Sequence, residues 1–75
     1  MFCILDWKDG GHLLKTGPES NKVIAFDEFG KAHAYVYSYF MKKYQHYIEA
    51  DFLILTIPLE VVQYMEYELF KEPEI

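Results

Sequence analysis

The sequence predicts a small α+β domain in which one sheet of three to four strands carries helices on one face. Three observations lead to this fold class. Short apolar segments separated by turn residues fill residues 1–26, helical spacing of apolar residues runs through 28–47, and an apolar run at 52–57 precedes a second helical pattern. The predicted order is strand, strand, strand, helix, strand, helix, in a single domain over residues 1–75.

The first two strands are predicted to form a hairpin. Residues 2–7 are mostly apolar, and residues 9–11 read Asp-Gly-Gly, a sequence that tolerates the positive φ angles of tight turns. Residues 12–15 are the predicted return strand. Residues 16–21 contain Gly, Pro, Ser and Asn and predict a loop, after which residues 23–26 form a third short strand.

Residues 28–47 are predicted to form a long helix, with Asp27 as its capping residue. At about 100° per residue, most apolar residues fall on one side and a polar stripe falls opposite. Residues 32–40 are also rich in strand formers, so a turn at residues 27–31 followed by a strand is the alternative. The polar stripe favours the helix, because its spacing of three and four does not suit a strand.

The C-terminal third predicts a strand followed by a short helix. Residues 52–57 are a nearly uninterrupted apolar run of strand formers. Proline is tolerated in a first helical turn, and the residues that follow place apolar side chains on one face: Pro58, Val61, Val62, Met65 and Leu69. The predicted helix ends near Phe70, before Pro73.

A chain of 75 residues buries only about 60–65% of its unfolded surface, so its stability is marginal. Small domains gain stability from disulfides, metals or oligomerisation. Cys3 is the single cysteine and lies in an apolar run, which predicts a buried thiol and no internal disulfide. The three histidines have no zinc-site spacing. Oligomerisation or a dense core is therefore expected, and a composition of 52% hydrophobic and 19% aromatic residues suits both.

The net charge of −5 is concentrated at the C-terminal end. Residues 1–48 carry six lysines and five acids, whereas residues 49–75 carry seven acids and Lys71. Direct nucleic-acid binding is not expected, since the chain has no arginine and no cluster of cations. No apolar run reaches the length of a membrane span, so the expected location is the cytoplasm of the protein's own cell or of a host cell.

Patterns typical of catalysis or cofactor binding are weak. Asp6, Asp9 and His12 have three-residue spacings, but the hairpin explains Asp9, and strand alternation predicts unrelated roles for Asp6 and His12. No phosphate loop, nucleophile elbow or calcium loop is present in the sequence. We therefore expect no cofactor, no metal and no enzymatic activity. A small ligand binder or enzyme using His33 or His12 is kept as a minor hypothesis.

Aromatic residues are crowded between Tyr35 and Tyr47. On the predicted helix they cover an arc of about 200°, whereas a surface helix needs roughly 100° to meet its core. The central residues Phe29, Val36, Phe40 and Tyr47 are assigned to the core. The flanking tyrosines, together with one on the polar side of the last helix, are candidates for an interface, since tyrosine buries area while its hydroxyl stays wet: Tyr35, Tyr37, Tyr39, Tyr44 and Tyr67.

Three functions follow from these observations. The first is a non-enzymatic interaction module that forms a homodimer through its tyrosine-rich element. The second is an accessory or viral regulator that binds a larger cellular protein through an acidic, aromatic surface including Glu60, Glu66 and Glu68. The third is the small ligand binder or enzyme.

Overall fold

The computed structural model describes residues 1–8, 10–17, 19–46, 48 and 51–71. The predicted α+β class and the order of the first six elements are confirmed, and a fifth strand follows them. The elements are β1 (Phe2–Asp6), β2 (His12–Leu13), β3 (Val23–Ala25), α1 (Phe29–Tyr44), β4 (Phe52–Thr56), α2 (Leu59–Val62) and β5 (Tyr67–Leu69).

The predicted N-terminal hairpin is present. β1 and β2 are antiparallel, with Leu5 opposite Leu13 and Asp6 opposite His12. Gly10 and Gly11 have φ angles of 79° and 81°, which a side chain disfavours, and the Gly11 N–H donates to the Asp6 carbonyl at 2.9 Å. Asp9 lies outside the described residues.

β1 is the central strand and is paired along both of its edges. One edge pairs antiparallel with all of β4, and the other pairs with β2. At its start, Phe2 and Phe26 exchange two backbone hydrogen bonds of 2.8 Å, which connects β1 to the chain leaving β3. β3 in turn pairs in parallel with β5. β4 and β5 therefore lie at the two outer edges of the strand arrangement.

α1 packs on one face of β1 and β4. Phe40 contacts Phe52 of β4 at a ring separation of 5.4 Å, and the hairpin alternative for residues 32–40 is excluded by the helix. The core beneath α1 is a cluster of buried apolar side chains: Ile4, Leu14, Ile24, Phe26, Ala32, Val36, Phe40 and Phe52. Cys3 is buried as predicted, and burial raises the pKa of its thiol.

The ends of α1 differ in how they are stabilised. The predicted cap at Asp27 is wrong, because Glu28 occupies the N-cap position and makes no side-chain cap bond. Asp27 and Glu28 instead pair with Lys31, at 3.3 and 3.1 Å. At the other end Gln45 adopts a left-handed conformation and its N–H donates to the Met41 carbonyl, which closes the helix.

The predicted second helix is wrong beyond Val62. α2 has four residues, and residues 67–69 form a strand instead of continuing the helix towards Phe70. The Val23 N–H donates to the Glu66 carbonyl at 2.9 Å, and the Phe70 N–H donates to the Ala25 carbonyl at 2.8 Å. Pairing with β3 also packs Phe70 against Phe26, at a ring separation of 5.1 Å. Long-range pairing thus outweighs the local helical spacing. Among the described residues, no helix combines the length and apolar character needed to cross a membrane.

Candidate interaction surface

The five tyrosines predicted to form an interface occupy different environments. Tyr37 is 50% exposed. Three others are half-buried and pack against the core: Tyr35, Tyr39 and Tyr44. Tyr67, on β5, is also half-buried. The role of these residues in an interface stays a prediction, and Tyr37 is the one whose ring is most open to a partner.

The predicted division of α1 into core and flank is partly correct. Val36 and Phe40 are fully buried, as expected. The assignment of Phe29 to the core is wrong, because its side chain is 53% exposed. The helix begins at this residue, and the ring meets the edge of Phe2 at a separation of 5.9 Å. Tyr47 lies outside the described residues.

Tyr44 anchors the last turn of α1 to the sheet. Its hydroxyl donates to Oδ2 of Asp6 at 3.0 Å, and the Asp6 side chain is 2% exposed. Nζ of Lys43 lies 3.8 Å from the same oxygen and donates to the Tyr39 hydroxyl at 3.0 Å. Burial raises the pKa of Tyr44, which keeps the phenol protonated as a donor. The pair joins residues 38 positions apart in the chain, so neither local pattern could reveal it.

A groove of about 510 Å³ opens beside this cluster. Its ionisable lining residues are Asp6, His12, Lys15, Tyr39 and Lys43. Asp6 and His12 are direct cross-strand partners and share the face under α1, and the expectation that they have unrelated roles stays a prediction. Within the described residues, no three His, Cys, Asp or Glu side chains cluster as a metal site would require. The Asp6 carboxylate is occupied in holding α1, and ligand binding or catalysis through His12 stays a prediction.

A row of large exposed side chains runs along α1, and we call it the α1 row: Phe29, His33, Tyr37 and Met41. Its members are four residues apart and are therefore neighbours on the helix surface. The rings of Phe29 and His33 lie nearly parallel, 6.2 Å apart. These two residues also line an apolar groove of about 400 Å³ together with Phe52, Leu53 and Ile54. Phe29 and His33 of the α1 row thus border the same groove as β4.

The outer edge of β4 is not paired with any strand in the described part of the chain. Backbone hydrogen bonds at the two ends of the β1–β4 ladder show which residue pairs are directly bonded. Ile57 bonds Met1 at one end, and Trp7 bonds Asp51 at the other. Bonding alternates along antiparallel strands, so Leu53 and Leu55 direct their N–H and C=O groups towards β1. The same groups of Ile54 and Thr56 point away from the sheet.

The face of the sheet opposite α1 is also apolar. The strand registers place Leu13, Leu5 and Leu53 in a line across β2, β1 and β4, which we call the leucine row. Leu13 and Leu5 are half-buried, and Leu53 is 46% exposed. Cys3 lies on the same face and is 1% exposed, so this face is covered at Cys3 and more open at Leu53. β4 is therefore bordered by exposed apolar side chains on both faces of the sheet.

Sequence reasoning found Tyr37 and the apolar character of β4, but it missed the α1 row and the leucine row. Both depend on which side of each element the core occupies, and this is set by long-range packing. The chain matches no protein-family model, and no curated protein and no solved structure matches it either.

Proposed function

We propose that this protein is a non-enzymatic protein–protein interaction module that self-associates through the surface formed by the α1 row and β4. The observation that carries the proposal is the contiguity of the exposed apolar groups. Phe29, Tyr37 and Met41 are 53%, 50% and 41% exposed on one helix, and the apolar groove beside Phe29 adjoins β4. This surface combines Tyr37 of the predicted tyrosine-rich element with the strand β4.

The small size of the chain and the types of its exposed residues favour self-association. Monomeric proteins rarely expose contiguous apolar patches larger than a few hundred Å². Aromatic residues and methionine are enriched at protein interfaces, and the gain on burial is roughly 25 cal/mol per Å² of apolar surface. A small domain with a limited core profits most from such burial. Two-fold homodimers are the commonest solution.

Sedimentation equilibrium of the purified chain tests this proposal. The wild-type protein is expected to show a concentration-dependent dimer, and Tyr37→Ser is expected to raise its dissociation constant at least about tenfold. Tyr64→Ser is the matched control, because Tyr64 is 84% exposed and does not belong to the α1 row. Tyr44 is unsuitable as a probe, since its loss would disturb the Asp6 anchor. A strictly monomeric wild type, or equal effects of the two substitutions, would contradict the proposal.

A second candidate function is binding of a basic, extended segment of another protein at β5. A groove of about 830 Å³ beside this strand is lined by Tyr35, Tyr67, Glu68, Phe70 and others, and it contains two of the predicted interface tyrosines. Exposed sheet edges accept extended peptides through backbone hydrogen bonds. The exposed Glu66 and Glu68 would favour basic side chains on such a peptide.

This second candidate is tested by fluorescence anisotropy with two labelled peptides, one alternating valine with lysine and the other alternating valine with glutamate. The lysine peptide is expected to bind more tightly, and Glu68→Lys should reverse the preference. Equal binding of both peptides would exclude an electrostatic role for this edge. For either function, we propose a cytoplasmic location, since the lone buried Cys3 suits a reducing compartment.

A further inference from the structure

We infer that two copies of this chain pair antiparallel through the outer edges of β4, about a two-fold axis at Ile54, to form one continuous sheet. The inference rests on the proposed self-association and specifies its geometry. It starts from the alternation in β4, where Ile54 and Thr56 direct their backbone groups away from β1. An unpaired strand edge is a template for another strand.

The two-fold register follows from which residues face outward. A two-fold axis at Ile54 places this residue opposite Ile54 of the second copy, where each N–H can donate to the other C=O. The same register places Thr56 opposite Phe52 of the second copy. Both positions are two residues from Ile54, so they lie in the same alternation of the strand. Ile54 is the middle residue of β4, so this register overlaps all five residues of the strand with those of the second copy. If the register shifted by one residue, the outward N–H and C=O groups of one copy would lie opposite residues of the other copy whose N–H and C=O groups point back towards β1.

The side chains of β4 favour a second copy as the occupant of this edge. β4 contains no charged residue and no proline, so two copies meet without like-charge repulsion or a missing donor. On the face opposite α1, the register places Leu53 opposite Leu55 of the second copy. The leucine row of each copy thereby ends beside Leu55 of the other. On the α1 face, the groove beside Phe29 and His33 lies next to the new pairing.

Disulfide trapping tests the register, with each variant made in a Cys3→Ala background. Ile54→Cys is expected to give a symmetric cross-linked dimer under mild oxidation, since directly opposite Cα atoms lie about 5.5 Å apart, within disulfide reach. Thr56→Cys is the matched control. The two copies of residue 56 would be offset by four residues, or about 14 Å at 3.4 Å per residue, and should not cross-link.

A charge at the edge tests the same contact without cysteine chemistry. Thr56 is exposed, and Thr56→Lys is expected to raise the dimer dissociation constant at least about tenfold in sedimentation equilibrium. Ser38→Lys adds the same charge at an exposed position of α1 and is expected to change it by less than about twofold. Thermal unfolding at low concentration checks that both variants keep the wild-type fold.

The outcomes separate the inference from the proposal on which it rests. Trapping at Ile54 but not at Thr56, together with a selective effect of Thr56→Lys, supports pairing through β4. A dimer that is insensitive to Thr56→Lys and is not trapped at Ile54 overturns the inference but leaves self-association through another surface, such as the leucine row. A wild-type chain that stays monomeric overturns both.

Discussion

The two outer strands of this protein, β4 and β5, expose their edges in different ways. β4 has five residues, all uncharged, and pairs antiparallel with β1. β5 has three residues, contains Glu68, and pairs in parallel with β3. Glu66 immediately precedes β5, and Lys71 follows shortly after it. The same chain therefore combines one unprotected edge with one that is short and charged.

This difference bears on the proposed self-association. Natural proteins protect sheet edges with short strands and with charges, because an unprotected edge invites pairing. In β5 the carboxylate of Glu68 would repel the same group of a second copy, while it would attract a basic segment of another protein. β4 lacks such protection and is bordered by exposed apolar side chains. Under the proposed functions, pairing with a second copy belongs to β4 and binding of a different partner belongs to β5.

The largest expected effect comes from proline substitutions along β4. Leu53→Pro removes an N–H that is directed towards β1, and we expect it to lower the free energy of unfolding on the order of 3 kcal/mol. Ile54→Pro removes an outward N–H and should be better tolerated, as edge strands accept proline at such positions. Urea denaturation at low concentration measures both.

The contrast is informative because burial predicts the opposite order. Leu53 is 46% exposed, whereas Ile54 is half-buried against the core, so loss of side-chain packing alone would make Ile54→Pro the more harmful change. If Ile54→Pro is the more destabilising of the two, the assigned direction of the β4 backbone groups is wrong. In that case the edge described here would not be free to pair about Ile54.

Removing the charge from β5 should create a second association site. Glu68→Ile leaves an apolar edge strand, and together with β4 pairing it would give each chain two adhesive edges. Two different contacts that do not close on themselves generate open assemblies. We expect large, concentration-dependent particles in dynamic light scattering, whereas Glu60→Ile, at an exposed position of α2, should behave as the wild type. Equal behaviour of the two variants would show that Glu68 does not protect this edge.

The contrast between the edges also shows how far the sequence predicts the fold. The hairpin at Gly10 and Gly11, the helix beginning near residue 28 and the strand at 52–56 were predictable, because each has a strong local signal. β5 was missed although residues 66–69 read Glu-Tyr-Glu-Leu, which alternates with a period of two. Helical spacing counted from Pro58 competed with this signal, and pairing with β3 decided between them.

The candidate surface was predictable only in part, for a related reason. The tyrosine-rich helix was visible in the sequence, and Tyr37 proved to be exposed. The Tyr44 hydroxyl, however, is committed to Asp6, a partner from the first strand that no local pattern identifies. The exposure of Phe29 depends on α1 beginning at that residue over Phe2. Contacts between distant segments therefore determine which aromatic residues remain available to a partner.

The smallest expected effect is a loss of stability near β5 at alkaline pH. Tyr35 lines the β5 groove and meets the edge of Phe70 at a ring separation of 5.3 Å. Burial raises the pKa of Tyr35, so the folded state holds this proton more strongly than the unfolded chain, in which the tyrosine pKa is about 10. As the pH rises through that value, the unfolded state loses its proton first, and the free energy of unfolding falls.

Tyr35→Phe has no proton to lose, so its free energy of unfolding should fall less steeply than that of the wild type above about pH 10. Tyr64→Phe removes an exposed phenol and should retain the wild-type slope. Hydrogen exchange locates the effect, because the Phe70 amide bonds Ala25 beside β5, whereas the Ile57 amide bonds Met1 beside β4. Earlier alkaline opening at Phe70 than at Ile57 would show that the two edges are stabilised independently. Simultaneous opening would mean that they unfold as one unit, so that protection of β5 and pairing of β4 could not be tuned separately.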